Sequence, residues 1–205
     1  MAWRCFMVRE SDFVQIYLRR YSAGVYACPT TFPGSVTYHN AEVIIDPQAP
    51  AAEHELVGKS PDAEMKADPR WPKHCACGRA FHPEDYWQYN VDHLYEGSPD
   101  GKLYRLRDLP PGAIWRATWM EDIQENPYSN PAGEVYALML PSGNEWLIYG
   151  KASNSNKKWN VEGELPGITV TPSILQEGKY HGYVKNGLVT DDCEGRKFPR
   201  YPSTA

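Results

Sequence analysis

Apolar and polar residues alternate over several short stretches of this chain, which is the pattern of half-buried β-strands. Residues 13–18 alternate in this way, and residues 36–45 are rich in β-branched and aromatic side chains. The stretches 113–119, 135–140 and 145–149 have a similar character further along the chain. We therefore expect a mainly β fold (α+β with minor helix), built from short antiparallel strands and hairpins.

Turn residues separate the predicted strands. Residues 141–144, Pro-Ser-Gly-Asn, lie between two apolar runs and predict a hairpin. Asn186-Gly187 predicts a second hairpin, because these residues tolerate the two positive-φ positions of a type I′ turn. Helix is expected only in short segments, near residues 63–67 and within 82–90, where Pro83 would be the first helical residue.

The chain shows one marked change of composition and one possible boundary. Residues 47–72 are rich in Pro, Ala, Glu, Asp and Lys and have few large apolar side chains, which indicates a surface excursion. Residues 125–133 have the composition of a linker or a long loop. We therefore divide the chain into a β-rich metal-binding part, 1–125, and a β-hairpin part, 126–205, that belong to the same compact domain.

Composition excludes several classes of protein. With 205 residues, 23% charged and 13% aromatic, the chain does not have the composition of a disordered protein. A net charge of −5 does not favour general binding to nucleic acid. No stretch approaches the roughly 20 apolar residues of a membrane-spanning helix, so we expect no membrane association. Pro and Gly number 18 and 16, which agrees with many turns.

The start of the chain and its cysteines favour a reducing compartment. Arg4 and Arg9 interrupt an apolar run that is too short for a signal peptide. Five cysteines are too few for a secreted disulfide scaffold of this length. We expect a location in the cytoplasm of a host cell, or within a virion. In such a setting, close-set cysteines are more often metal ligands than disulfide partners.

The segment 73–82, Lys-His-Cys-Ala-Cys-Gly-Arg-Ala-Phe-His, is the most informative one. Its Cys75-x-Cys77-Gly78 spacing lets two thiolates face one ion, and the glycine permits a tight turn. We call residues 75–78 the knuckle, because this spacing is that of a zinc-knuckle-like insertion. Phe81 is in a position to pack beneath it. Structural zinc takes four ligands, so two more are needed. The candidates are Cys5, Cys28, His39, His74, His82 and Cys193.

Two of these candidates lie where a hairpin can bring them together. Cys28 precedes Pro29 at a strand end, and His39 begins the next predicted strand. We predict a structural zinc bound by Cys28, His39, Cys75 and Cys77. His82 or His74 is the alternative to His39. If only three residues bound the metal, the open position could activate water.

Catalytic motifs are largely missing. Phosphate-binding glycine loops, the Gly-x-Ser-x-Gly elbow and His-Glu-x-x-His are all absent. The order of Cys75-x-Cys77 and Asp92-His93 resembles half of an HNH nuclease finger, but the second half is missing. A weaker candidate is a ligand pocket, and its predicted residues are Trp146, Ser153, Asn154, Trp159 and His181. His181 lies between two tyrosines and is more typical of a sheet-surface histidine than of a catalytic one.

Several blocks, taken in order, resemble a family of uncharacterised proteins encoded by actinobacterial phages and prophages. The blocks span about residues 28 to 190 and are Cys28-Pro, Tyr38-His-Asn-Ala, Asp68-Pro-Arg-Trp-Pro, Cys75-Ala-Cys-Gly with Phe81, Tyr86-Trp-Gln, Leu94-Tyr, the run 109–120, Ala152-Ser-Asn, the run 168–174 and the run 180–187. The resemblance implies a phage setting and groups the three predicted cysteine ligands with His39. It implies no activity.

These observations lead us to expect a phage-type accessory protein without enzymatic activity. Its function would be binding, assembly or interaction with the host, through a protein partner, because Trp and Tyr are the residues that interfaces favour. One alternative is a small metal-dependent hydrolase or nuclease acting on nucleic acid or a nucleotide, with Asp92, His93 or His181 near the metal. A second alternative is an inhibitor that sequesters a nucleotide.

Overall fold

The computed structural model describes residues 2–22, 28, 39–151 and 158–198. Strand is the main regular structure of these residues, and helix is minor, as the hydrophobic pattern predicts. In chain order the strands are β1 (Ala2–Arg4), β2 (Phe6–Met7), β3 (Arg9–Tyr21), β4 (Asn40–Pro50), β5 (Val57–Lys59), β6 (Tyr86–Glu96), β7 (Tyr104–Arg105), β8 (Ala113–Arg116), β9 (Tyr136–Met139), β10 (Glu145–Leu147), β11 (Asn160–Glu162), β12 (Thr169–Gln176), β13 (Tyr180–Lys185) and β14 (Leu188–Thr190). The α-helix is α1 (Ala63–Lys66), and 3₁₀ turns form at Ala51–Glu53, Leu106–Asp108 and Thr118–Met120.

The chain divides into two compact units. The terminal unit contains the described residues of Met1–Arg9 and Tyr95–Ala205, and the central unit is Glu10–Leu94. The boundary expected near residue 125 falls inside the terminal unit. The physical reason is strand pairing, because β8 precedes that position and pairs with β9, which follows it.

Two sheets form the terminal unit. The first is antiparallel, with the strand order β1-β14-β13-β12-β11. The second has the order β10-β9-β8-β2, in which β2 runs parallel to β8. The predicted hairpins are confirmed: β9 pairs with β10, and β13 pairs with β14 across Asn186 and Gly187, whose φ angles are 49° and 70°.

Successive residues of β8 and β9 pack into two different apolar clusters, so these short strands are buried on both faces. Ile114 and Leu138 belong to a cluster with Ile174 and Tyr180 of the first sheet. Trp115, next to Ile114 in sequence, belongs to a second cluster together with the alanine and methionine that flank Leu138. This alternation fixes the register of the β8–β9 pair, because a slip by one residue would exchange the two faces.

The central unit is built on a sheet with the strand order β4-β3-β6-β5. Its small core contains Val14, Ile16, Ala49 and Val91. The short helix expected near residues 63–67 is confirmed as α1, whose N-cap Asp62 accepts a hydrogen bond from the Met65 N–H. In the described part of the chain, no helix has the length and apolar character needed to cross a membrane.

The predicted helical turns within 82–90 are wrong for the second half of that segment. Residues 83 and 84 form a turn, but the chain is extended from Tyr86 onward as β6. Strand pairing decides the conformation, because Lys59 and Val57 of β5 lie opposite Tyr89 and Val91 of β6. Aromatic and β-branched side chains gain more from such pairing than a short isolated helix would provide.

Candidate metal centre

The structure brings Cys28, His39, Cys75 and Cys77 together in the central unit. One ligand atom from each of these residues lies within 4.8 Å of every other. His39 immediately precedes β4, and its carbonyl accepts a hydrogen bond from the Ser22 N–H just after β3. Cys28 lies in the connection between these strands, so the β3–β4 pair supplies two of the four side chains.

A tight backbone loop supplies the other two side chains. The Cys75 N–H donates to the Arg79 carbonyl at 2.9 Å, and the Gly78 N–H donates to the Cys75 carbonyl at 2.9 Å. Gly78 has a φ of +90°, which a residue with a side chain rarely adopts. The glycine therefore allows the turn that directs both cysteine side chains to one side, as the Cys-x-Cys-Gly spacing predicts.

The distances between the ligand atoms fit a tetrahedral ion. The Sγ atoms of Cys28 and Cys75 are 3.6 Å apart, and His39 Nδ1 is 3.1 Å from Cys77 Sγ. Two sulfur ligands at about 2.3 Å from a tetrahedral zinc are about 3.8 Å apart. The separation of the Cys28 and Cys75 sulfurs is therefore close to the one that a tetrahedral zinc requires.

The centre is largely shielded from solvent. Cys28, His39 and Cys75 are buried, and Cys77 is half-buried. Phe81 packs against Cys28 and Cys75, in the position expected from its spacing. Burial raises the pKa of the Cys75 thiol. A bound cation acts in the opposite direction, because it stabilises the thiolate.

The other candidate ligands lie outside this cluster. His74 and His82 flank the knuckle but are exposed, and they do not belong to the group of converging side chains. Cys5 and Cys193 belong to the terminal unit. Cys5 is part of its apolar core, where burial raises its pKa to about 12.

Arg20 fastens the segment that follows the Cys75–Gly78 knuckle to β3, a role that sequence reasoning missed. Its guanidinium donates to the His82 carbonyl at 2.6 Å and lies 3.8 Å from the Trp87 ring centroid and 5.1 Å from that of Phe81. Asp85 accepts from the His82 N–H at 2.9 Å and orders the same turn. A lone Arg-Arg pair in a sequence carries no signal for such a contact.

We expect the Arg20→Lys substitution to destabilise the central unit by about 1–2 kcal/mol, because lysine cannot both stack on Trp87 and direct a fixed N–H at the His82 carbonyl. Arg19→Lys is the matched control. Arg19 is the neighbouring residue on the same strand and makes a looser 3.6 Å ion pair with Glu42. Thermal unfolding measures both variants, and equal losses of stability would contradict this role of Arg20.

Two of the residues predicted for a ligand pocket lie together, and the others do not or are outside the described residues. Trp146 and Trp159 line an open cleft of about 500 Å³ in the terminal unit, with their ring centroids 5.2 Å apart and nearly perpendicular. Ser153 and Asn154 lie outside the described residues. His181 does not line this cleft, but its cross-strand partner Leu175 does.

The residues expected near a catalytic metal have other partners. Asp92 accepts a hydrogen bond from the Tyr17 hydroxyl at 2.8 Å, and His93 lies 3.7 Å from Glu10. Neither residue is part of the converging group, and His181 belongs to the terminal unit.

Comparisons of the chain with protein-family models, with curated proteins and with solved structures find no match.

Proposed function

We propose that Cys28, His39, Cys75 and Cys77 bind one zinc ion, and that this zinc is structural. The convergence of three thiols and one imidazole within 4.8 Å supports the proposal. Soft sulfur ligands in a tetrahedral arrangement favour zinc over magnesium or calcium, which prefer oxygen. The reducing compartment inferred from the cysteine content also keeps these thiols available for a metal.

Four protein ligands favour a structural role over a catalytic one. A catalytic zinc keeps one coordination position for water or substrate, whereas a full set of four residues leaves none. The ion would join the β3–β4 connection to the knuckle that precedes β6. The core of the central unit is small, so this link would supply much of its stability.

We further propose that the protein is a phage-type accessory protein that binds a protein partner in the host cytoplasm or in the virion. Exposed aromatic side chains support a binding role. Tyr86 is 54% exposed and stacks on Tyr21, and Trp119 is 53% exposed. Interfaces are enriched in such residues.

Native mass spectrometry on protein purified without chelators tests the metal assignment. We expect a mass increase equal to one zinc per chain, which a chelator removes together with the folded central unit. A chain that carries no metal and has the same melting temperature with and without chelator would contradict it.

Affinity purification from phage-infected cells tests the binding role, and recovery of no specific partner from cells or virions would count against it.

A further inference from the structure

We propose that Ser173, His181 and Glu194 of the terminal unit form a nucleophilic triad that hydrolyses small carboxylic esters. This activity goes beyond the proposed zinc site and does not use the metal. His181 Nε2 lies 3.1 Å from Ser173 Oγ, and His181 Nδ1 lies 3.2 Å from Glu194 Oε1. A hydroxyl within reach of a base that a third group orients is the arrangement of an activated nucleophile.

The carboxylate determines which nitrogen of His181 carries the proton. An ionised carboxylate only accepts hydrogen bonds, so Nδ1 must donate to Glu194. Nε2 then has a free lone pair and accepts a hydrogen bond from the Ser173 hydroxyl. This is the tautomer that a general base for serine requires.

Buried Asp192 holds the histidine and the glutamate in place. Its carboxylate accepts from the His181 backbone N–H at 2.8 Å and from the Glu194 N–H at 2.9 Å. It also pairs with Arg196 at 2.8 Å, and Arg196 contacts the second oxygen of Glu194. The segment that carries Glu194 is therefore fixed to β13, which is the preorganisation that a catalytic group needs.

Ser173 lies where its strand is irregular. The register between β12 and β13 shifts between Val170 and Ile174, so Ser173 lies in an irregular stretch of β12, and such irregularities redirect side chains next to functional sites. Leu175 is two residues along β12, about 7 Å away, and lines the cleft that contains Trp146 and Trp159. The cleft could receive the apolar part of an ester whose carbonyl lies at Ser173.

The reaction is an ordinary acyl transfer. Ser173 Oγ attacks the carbonyl carbon while His181 Nε2 takes the hydroxyl proton. The alcohol leaves as the C–O bond breaks, and His181 returns the proton to it. Water, deprotonated by His181, then attacks the acyl-serine, and this step releases the carboxylic acid and restores the Ser173 hydroxyl. Glu194 acts through His181 and is a positioning residue.

Two probes test this proposal on the full, zinc-loaded chain: an alkyl fluorophosphonate and p-nitrophenyl acetate. Both are used in a Cys193→Ser background, because the exposed Cys193 thiol could itself react with the acetate. We expect the phosphonyl group on Ser173 in peptide mapping, with loss of fluoride. We expect ester hydrolysis to fall at least tenfold in Ser173→Ala and in His181→Gln. Glu194→Asp should retain more hydrolysis than Glu194→Gln.

Ser142→Ala is the matched control, because Ser142 lies in the β9–β10 turn of the same unit, away from His181, and its Oγ accepts a hydrogen bond from the neighbouring Asn144. It should keep the wild-type rate and labelling. Absence of a phosphonyl adduct on Ser173 overturns the proposal, and so does equal hydrolysis by Ser173→Ala and the control. The mapped adduct is read on a chain with an intact triad, so it does not depend on how the triad variants fold.

Discussion

The Cys77→Ala substitution is expected to lower the zinc content from about one ion per chain to nearly none and to unfold the central unit. Cys77 Sγ lies 3.1 Å from the His39 ring, so its loss leaves only three ligands around the ion. Zinc bound by four such residues contributes on the order of 10 kcal/mol in small zinc domains. The apolar cluster on the sheet of this unit has four buried residues, and we do not expect it to replace that contribution.

Elemental analysis and hydrogen exchange measure the effect of Cys77→Ala. Exchange should rise in peptides of Glu10–Leu94, the central unit. Cys193→Ala is the control, because Cys193 is an exposed cysteine outside the cluster. It should leave both the zinc content and the exchange unchanged. Retention of one zinc per chain by Cys77→Ala would contradict the assigned ligand set.

The Gly112→Ala substitution is expected to destabilise the terminal unit by about 3 kcal/mol. Gly112 has a φ of +92°, and an added Cβ would collide with the backbone carbonyl oxygen of Arg4. Backbone cannot move aside here, because the Gly112 carbonyl accepts from the Phe6 N–H and its N–H donates to the Met139 carbonyl. The glycine thus allows β2 to pair with β8.

Gly101→Ala separates the two causes of this destabilisation. Gly101 also has a positive φ, +72°, but no atom lies within 4 Å of the position of its added Cβ. We expect a loss of about 1 kcal/mol from backbone strain alone. Thermal unfolding of both variants gives the difference. If both variants lose equal stability, the close approach of Arg4 does not explain the glycine at position 112.

Local chemistry accounts for the parts of the fold that the sequence predicts. The Asn186-Gly187 turn, the capped helix after Asp62 and the Cys75–Gly78 knuckle each depend on a few adjacent residues. Cys28 and His39 were predictable although they are distant from Cys75 in the sequence. Both lie in the connection between β3 and β4, so the sequence analysis had to infer only that this connection lies close to the knuckle.

The features that sequence reasoning missed depend on pairing between distant segments. Tyr89 and Asn90, predicted as helical, lie in a strand that pairs with β5, and nothing within the segment indicates that neighbour. The division at residues 9 and 94 follows from contacts between segments that are far apart in the sequence. Arg20 contacts His82, which follows the knuckle, from a strand more than 50 residues earlier. His181 gains Ser173 and Glu194 only when β12, β13 and the Asp192 turn come together.

X-ray absorption at the zinc edge of the purified chain tests the central claim most directly. It counts the atoms bound to the metal and identifies them as sulfur or nitrogen. The account predicts three sulfur atoms at about 2.3 Å and one nitrogen at about 2.0–2.1 Å, with no bound water. A shell dominated by oxygen and nitrogen, or protein that contains no zinc, would contradict it.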